Sequence, residues 1–306
     1  MGWNKPVMTD SGGFQVFSHG FAREHGVSKI YKEVPLNTPN QPEKNLVRIT
    51  DEGTYFETNK GEQFLGPKES IQIQEKLGAD IIFTFDECTS PLNDYEYTKK
   101  SMDRTHKWAK ICLEIKTRKD QLMYGISQGG EYENLREEST KYIASLPFDG
   151  FGIGGSFSNE DLDEALAWVN KILPEEKPRH LLGIGEPIDL FIGIENGIDM
   201  FDCVSPTRIA RTGMVYTKEG RVNMINAKFA KDFSKIEEDC KCYTCENYTK
   251  AYLTHLFRAK EMLASTLASI HNLYFIVNLV KNIRQSILDE NFDEFKEEFL
   301  KSYYGK

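Results

Sequence analysis

No apolar run in the sequence approaches the roughly 20 residues that a membrane-spanning helix needs, and no basic stretch leads into an apolar one near the N-terminus. A membrane or secreted protein is therefore not expected, and the chain reads as cytoplasmic. Positive charge is not in excess either. With 38 Lys and Arg against 47 Asp and Glu the formal net charge is -9, so bulk attraction does not hold nucleic acid, and any such site has to be a local basic patch. Cysteine is sparse: six residues in 306, three of them within six positions. That pattern is less a secreted disulfide framework than a metal site plus scattered buried thiols. There is no internal repeat of fixed period and no low-complexity linker. What remains is a globular chain long enough, and at 40% apolar residues apolar enough, to bury one large core.

What the sequence does contain is a recurring strand type. Apolar runs with acidic or glycine-rich ends occur at 6–13 (PVMTDSGG), 79–88 (ADIIFTFDEC), 122–130 (LMYGISQGG), 148–156 (FDGFGIGGS), 179–186 (RHLLGIGE) and 197–206 (GIDMFDCVSP). Between the later runs lie helical stretches such as LDEALAWVNKIL, with Leu162, Leu166, Val169 and Leu173 on one face. Such alternation indicates a parallel sheet covered on both faces, whose strand carboxyl ends carry the site. A closed eightfold barrel needs two strands more than these six. Residues 19–66 break the alternation and read as an inserted antiparallel sheet with turns at Asp51-Glu52-Gly53 and Asn59-Lys60-Gly61. Pro67 then fits the first turn of a helix through Ile71, Ile73 and Leu77.

In the last third, Cys240, Cys242 and Cys245 form a C-x-C-x2-C pattern, close enough for three thiolates to meet one tetrahedral zinc. A fourth ligand is needed, and His255 and His271 are both candidates. Clustered cysteines without a metal are the bland alternative, but near-adjacent free thiols in a cytosolic chain have little other use. Three acids, Asp10, Asp86 and Asp202, each follow an apolar run. Each alone could cap a helix. Together at one sheet end, two carboxylates can serve as nucleophile and general acid/base in glycosyl transfer. A third acid, with Gln128 and a Gly-Gly backbone, can bond the edge of a planar base.

The motifs TDSGGFQVFS, FDEC, GISQGG, IGGS, HLLGIGE, GIDMFDCVSPTR and C-x-C-x2-C-x25-H, in that order, resemble those of bacterial-type tRNA-guanine transglycosylases, the queuine tRNA-ribosyltransferase family, over essentially the whole chain. The resemblance implies a (β/α)8 TIM-type barrel with six of its eight strands visible, an inserted small antiparallel sheet and a C-terminal zinc-binding helical subdomain. Residues 1–213 would form the barrel core and 214–306 the zinc-binding part. The implied activity exchanges the wobble guanine of GUN-type tRNA for a 7-deazaguanine base through a covalent aspartyl-ribose link. Asp202 resembles the family's nucleophile and Asp10 its general acid/base. Asp86, Gln128 and Gly155 resemble the groups that bind the base edge, Phe14 and Leu182 those that sandwich its plane, and Gly183 the residue that leaves room beside it. Arg208 and Arg211 resemble arginines that read neighbouring anticodon-loop bases. The family's spacing gives one structural zinc per chain on Cys240, Cys242, Cys245 and His271, and a homodimer that binds one tRNA across two subunits.

The sequence departs from the family at three places. Ser156, Phe157 and Ser158 stand where many bacterial members have a bulkier, then acidic, run, which opens the pocket rim and favours queuine over its aminomethyl precursor. Glu186 stands where some relatives carry lysine. The family also has on the order of 80 residues before the Met-Gly-Trp stretch, holding the barrel's first two strands. The chain as given is therefore expected to be a weak enzyme. Two other classes are possible: a non-catalytic tRNA-binding subunit, which would usually lose the acids retained here, and a carbohydrate-cleaving barrel, which has no need of PTRIAR or the cysteines.

Overall fold

The six apolar runs become six strands of one sheet. In chain order the elements are β1 (Met8–Thr9), β2 (Val47–Ile49), β3 (Thr54–Thr58), β4 (Gly61–Leu65), α1 (Pro67–Leu77), β5 (Ile81–Phe83), α2 (Tyr95–Ile115) and β6 (Leu122–Ser127). Then come α3 (Glu133–Ala144), β7 (Gly150–Ile153), α4 (Leu162–Asn170), β8 (Arg179–Leu181), α5 (Pro187–Glu195), β9 (Met200–Phe201) and α6 (Ser205–Ala210). The chain ends in β10 (Met214–Thr217), β11 (Gly220–Asn223), α7 (Tyr243–Asn247), α8 (Lys250–Arg258), α9 (Met262–Leu288) and α10 (Phe292–Tyr304). The computed structural model describes residues 2–15, 47–155 and 162–305. The expected insert up to residue 46, and the rim residues Ser156, Phe157 and Ser158, lie outside them.

Two compact units divide the chain, Met1–Leu182 with Gly193–Met200 and Gly183–Ile192 with Phe201–Lys306. In the first, β1, β5, β6, β7, β8 and β9 follow one another in a curled parallel half-barrel. Met8 lies opposite Ile81, Ile81 opposite Leu122, Tyr124 opposite Gly150 and Phe151 opposite Arg179. Among the described residues β1 and β9 are the two ends of this sheet. On its inner face Phe83, Tyr124 and Ile126 pack together with Met8, Ile81, Leu182 and Met200. Helix α4 buries Leu162, Leu166 and Val169 as its apolar spacing predicts, with Leu173 just beyond it.

Helix α1 begins on Pro67, whose missing N–H costs nothing there, but its inward face differs from the expected one. Ile71 is buried, whereas Ile73 and Leu77 are 49% and 68% exposed. Gln74 takes the inner position because its amide substitutes for a strand. Its Oε1 accepts from Phe83 N–H at 3.0 Å and its Nε2 donates to the Phe83 carbonyl at 2.9 Å. The small sheet β2-β3-β4 is antiparallel, and a two-residue connection joins Thr58 to Gly61. The Asp51 carbonyl accepts from Trp108 Nε1 on α2 at 2.7 Å, tying the sheet's first turn to that helix.

The second unit has its own core of Val215, Met224, Leu253, Leu256, Leu267 and their neighbours. Phe191 of α5 packs against Phe292, Phe295 and Phe299 of α10. Helix α9 corrects one expectation. At 27 residues, with a mean hydropathy of 1.4 over its most apolar window, it is long and apolar enough to cross a membrane by length and composition. Its polar interruptions Ser265, His271 and Asn272 hid this in a search for unbroken apolar runs. One face of it packs into the second unit, where Ala264, Leu267, Ala268, His271 and Asn272 are all buried and Asn272 bonds the backbone of Tyr216, Pro206 and Met214.

Candidate active site and metal centre

Asp86 follows β5 and is 7% exposed; Gln128 follows β6 and is 1% exposed. The two are bonded to each other, with Gln128 Nε2 donating to Asp86 Oδ2 at 2.6 Å. Ser11, just past β1, donates its hydroxyl to the other oxygen, Asp86 Oδ1, at 3.2 Å and accepts from Gly13 N–H at 3.2 Å. Three strand ends thus converge on one buried carboxylate. Gly13 is packed so tightly that a Cβ there would come within 2.4 Å of the Asp86 carbonyl and 2.9 Å of Oδ1. On the other side a Cβ on Gly154 would lie 2.6 Å from Gln128 Nε2. The paired glycines after β1 and β7 are there because the backbone must pass against this pair. Gln128 Oε1 is buried and has no hydrogen-bond partner among the described residues, which suits an acceptor kept for a ligand's N–H.

Arg136, on α3, braces the same strand ends and was not singled out by sequence. Fully buried, it donates from Nε to the Gly130 carbonyl at 2.8 Å and from Nη1 to the Gly154 carbonyl at 2.6 Å. Burial lowers its pKa to about 10. Gly155 turns with φ +104°, and a Cβ there would meet Arg136 Nη2 at 2.4 Å. Beside Asp86, Glu87 is a buried acceptor for Arg104 and for Tyr97 Oη at 2.8 Å. Arg104 also reaches Asp51 of the small sheet at 3.4 Å.

Asp10 is exposed and its Oδ1 accepts the N–H of Ser11 at 2.8 Å. Phe14 is half-buried. Leu182 closes the inner-face cluster, over Gly152. In the second unit Asp202, also exposed, accepts at Oδ1 from the Gly183 N–H at 2.9 Å. Gly183 has φ +71°, a conformation that glycine adopts without the strain a side chain brings. Arg208, on α6, and Arg211, its C-cap, are exposed. The structure therefore brings Asp86, Gln128 and Gly155 together with Ser11, Gly13, Gly154 and Arg136, and it joins Asp202 to Gly183. Ser11 and the glycines lie inside motifs visible in the sequence. Arg136 sits in a charged helical stretch and carried no such signal.

The cysteines meet His271 and not His255. His255 is exposed on α8, whereas His271 is fully buried on α9. The ligand atoms of Cys240, Cys242, Cys245 and His271 all lie within 4.8 Å of one another. His271 Nδ1 is 3.8, 3.5 and 3.4 Å from the three sulfurs. A tetrahedral ion with bonds of about 2.3 Å to sulfur and 2.0 Å to nitrogen places those atoms about 3.5 Å apart. The imidazole is also held in the right tautomer. Its Nε2–H donates to the Tyr216 carbonyl at 2.7 Å, which leaves the Nδ1 lone pair facing the thiols. The cluster is compatible with zinc, and its four protein ligands leave no coordination position for a substrate.

The chain matches the family model described as queuine tRNA-ribosyltransferase over residues 1–305. It is 44% identical over 309 residues to a queuine tRNA-ribosyltransferase of Streptococcus uberis, covering 99% of this chain and 75% of that protein. It is 44% identical over 313 residues to the queuine tRNA-ribosyltransferase of Streptococcus sanguinis, covering 100% and 76%. An Archaeoglobus fulgidus protein named provisionally for the same activity is 47% identical over 321 residues, 98% of this chain and 79% of that one.

Proposed function

The chain belongs to the queuine tRNA-ribosyltransferase family, and from that premise we propose that it replaces the wobble guanine of GUN-type tRNA by a 7-deazaguanine base, with Asp202 as covalent nucleophile. As a member of that family it is a pentosyltransferase. In the first half of the reaction a carboxylate oxygen of Asp202 attacks C1′ of the wobble ribose as the C1′–N9 bond breaks, and guanine leaves with the bonding pair and takes up a proton. In the second half the incoming base gives its N9 proton to Asp10, N9 attacks C1′, and the ester bond to Asp202 breaks. The Gly183 N–H on Asp202 Oδ1 orients the nucleophile, and the exposure of Asp10 lets the proton pass to water.

The observation that carries the reading is the buried Asp86–Gln128 pair. A carboxylate and an amide fixed side by side form a row of acceptors and donors for the edge of guanine, and a base without the matching groups would leave them unpaired, at high cost. Phe14 and Leu182 are the faces for its plane, with Gly155 backbone at its edge and Gly183 beside it. Arg208 and Arg211 supply the local positive charge for the anticodon loop in a chain of net charge -9. Zinc is the metal we assign to the cysteine cluster; when bound, it would hold residues 240–245 against α9. The working unit is a homodimer in the cytoplasm, where tRNA is, and queuine is the preferred modified base.

The test is Asp202→Asn. Wild type should incorporate radiolabelled guanine into tRNA and trap a denaturant-resistant protein–tRNA adduct, and the variant should do neither. A variant that still formed the adduct would overturn the assignment of the nucleophile.

A further inference from the structure

Glu186 lies in the turn after β8, and its carboxylate gathers donors from three elements. Ser205 at the start of α6 donates its hydroxyl, Tyr216 of β10 donates its phenol at 3.1 Å, and Arg221 of β11 donates its guanidinium. The Glu186 and Arg221 side chains are 25% and 41% exposed. An exposed ion pair on its own would add little. A half-buried carboxylate that takes donors from three elements instead fixes where those elements lie.

The arms of this network lead to functional groups. Ser205 opens α6, which carries Arg208, and the next carbonyl, of Pro206, accepts from Asn272 Nδ2 of α9 at 2.9 Å. Tyr216 is gripped through its backbone by the same helix: its N–H donates to Asn272 Oδ1 at 2.9 Å and its carbonyl accepts from His271 at 2.7 Å. The turn that holds Glu186 also supplies the Gly183 N–H bonded to Asp202. Glu186 thus bonds both the first residue of the arginine-bearing helix and the strand that supports His271, from within the turn that orients Asp202.

We infer that Glu186 is a positioning residue for tRNA recognition, setting the first turn of α6, and with it Arg208 and Arg211, against the turn that holds Asp202. This rests on the reading of those arginines as tRNA contacts. If it is right, loss of the network should act through the arginines and leave the base pocket alone.

The test is a double-mutant cycle on the full chain, read by titration with a fluorescent anticodon stem-loop, with guanine exchange measured in parallel. Glu186→Gln and Ser205→Ala should each weaken stem-loop binding about tenfold, the worth of one hydrogen bond to a charged group, with the KM for guanine unchanged. In an Arg208→Ala/Arg211→Ala background the same substitutions should have less than about twofold further effect, since the contacts they position are already gone. Tyr216→Phe, which keeps the carbonyl that His271 uses, should follow Glu186→Gln with full metal content. Ser205→Ala removes a single hydroxyl and decides the matter should Glu186→Gln lower the melting temperature. Undiminished binding by Ser205→Ala, losses that multiply with that of Arg208→Ala/Arg211→Ala, or a wild-type chain that does not bind the stem-loop would each overturn the inference. Wild type that binds the stem-loop but exchanges no guanine would count against the enzymatic reading alone, because the binding cycle needs no turnover.

Discussion

The carboxylate–amide pair of the first unit and the cysteine cluster of the second are both buried polar sites, and they are built by opposite means. Gln128 Nε2 is bonded to one oxygen of Asp86, Ser11 takes the other carboxylate oxygen, and glycine backbone closes in from both sides. Nothing further is needed to hold them in place. The three thiols converge with one another on a single imidazole nitrogen, and thiolates so close together require a cation between them. One site owes its geometry to packing; the other brings together four groups compatible with a metal ion, whose binding would hold it.

That contrast is most open to attack at the metal. Cys242→Ala should abolish metal binding and unfold the second unit, because apparent binding free energies of about 10 kcal/mol or more in such sites are folding free energy. Metal analysis with thermal unfolding measures this, and one zinc per chain at an unchanged melting temperature would erase the distinction. The next largest effect belongs to packing. Gly13→Ala places a carbon 2.4 Å from the Asp86 carbonyl, and displacing the acid by a fraction of an ångström should cost about 100-fold in kcat/KM for guanine while metal content stays whole. Wild-type guanine kinetics in Gly13→Ala would show that the pair tolerates what the structure says it does not.

The smallest expected effect sharpens the comparison through pH. Burial lowers the pKa of His106, in the first unit, from 6.5 to about 4. An unfolded chain takes up that proton near pH 6.5 and the folded one does not, so the stability this histidine contributes is complete above about 6.5 and is lost as pH falls toward 4. Burial raises the pKa of Asp189, in the second unit, from 3.8 to about 6. Its contribution is complete below about 3.8 and is lost as pH rises through 6. Acidification should weaken one unit and strengthen the other, each by at most about 3 kcal/mol. Urea unfolding of His106→Gln and Asp189→Asn at pH 6.5 and 4.5 should flatten the two trends separately. Parallel behaviour of both variants and wild type would remove the effect.

Much of this could be read from the sequence because the signals were local. A short apolar run ending in an acid or Gly-Gly marks a buried parallel strand whether or not its neighbours are known, and six such runs became six strands. The cysteine spacing likewise carries its geometry within six residues. What could not be read depended on distant partners. Gln74 displaced Ile73 from the inner face of α1 because of the Phe83 backbone, which no periodicity encodes. Arg136 lies among glutamates that suggest a solvated face, and only the carbonyls of Gly130 and Gly154 explain its burial. Glu186 stood out in sequence as a departure from lysine, with nothing to indicate the three donors it collects. Helix α9 escaped as an apolar span because His271 and Asn272, the residues that anchor it, interrupt the run.

The glycines that flank the Asp86–Gln128 pair also limit how this protein can change by descent. Every amino acid that a single-nucleotide change can bring to a glycine codon carries a Cβ, and at Gly13 that carbon collides with main chain that cannot swing aside, while at Gly154 it strikes the amide that Asp86 holds. Neither codon offers a small first step away from this arrangement. A lineage drifting toward a new substrate would have to begin elsewhere, and these two positions should stand as fixed points in any population of functional variants.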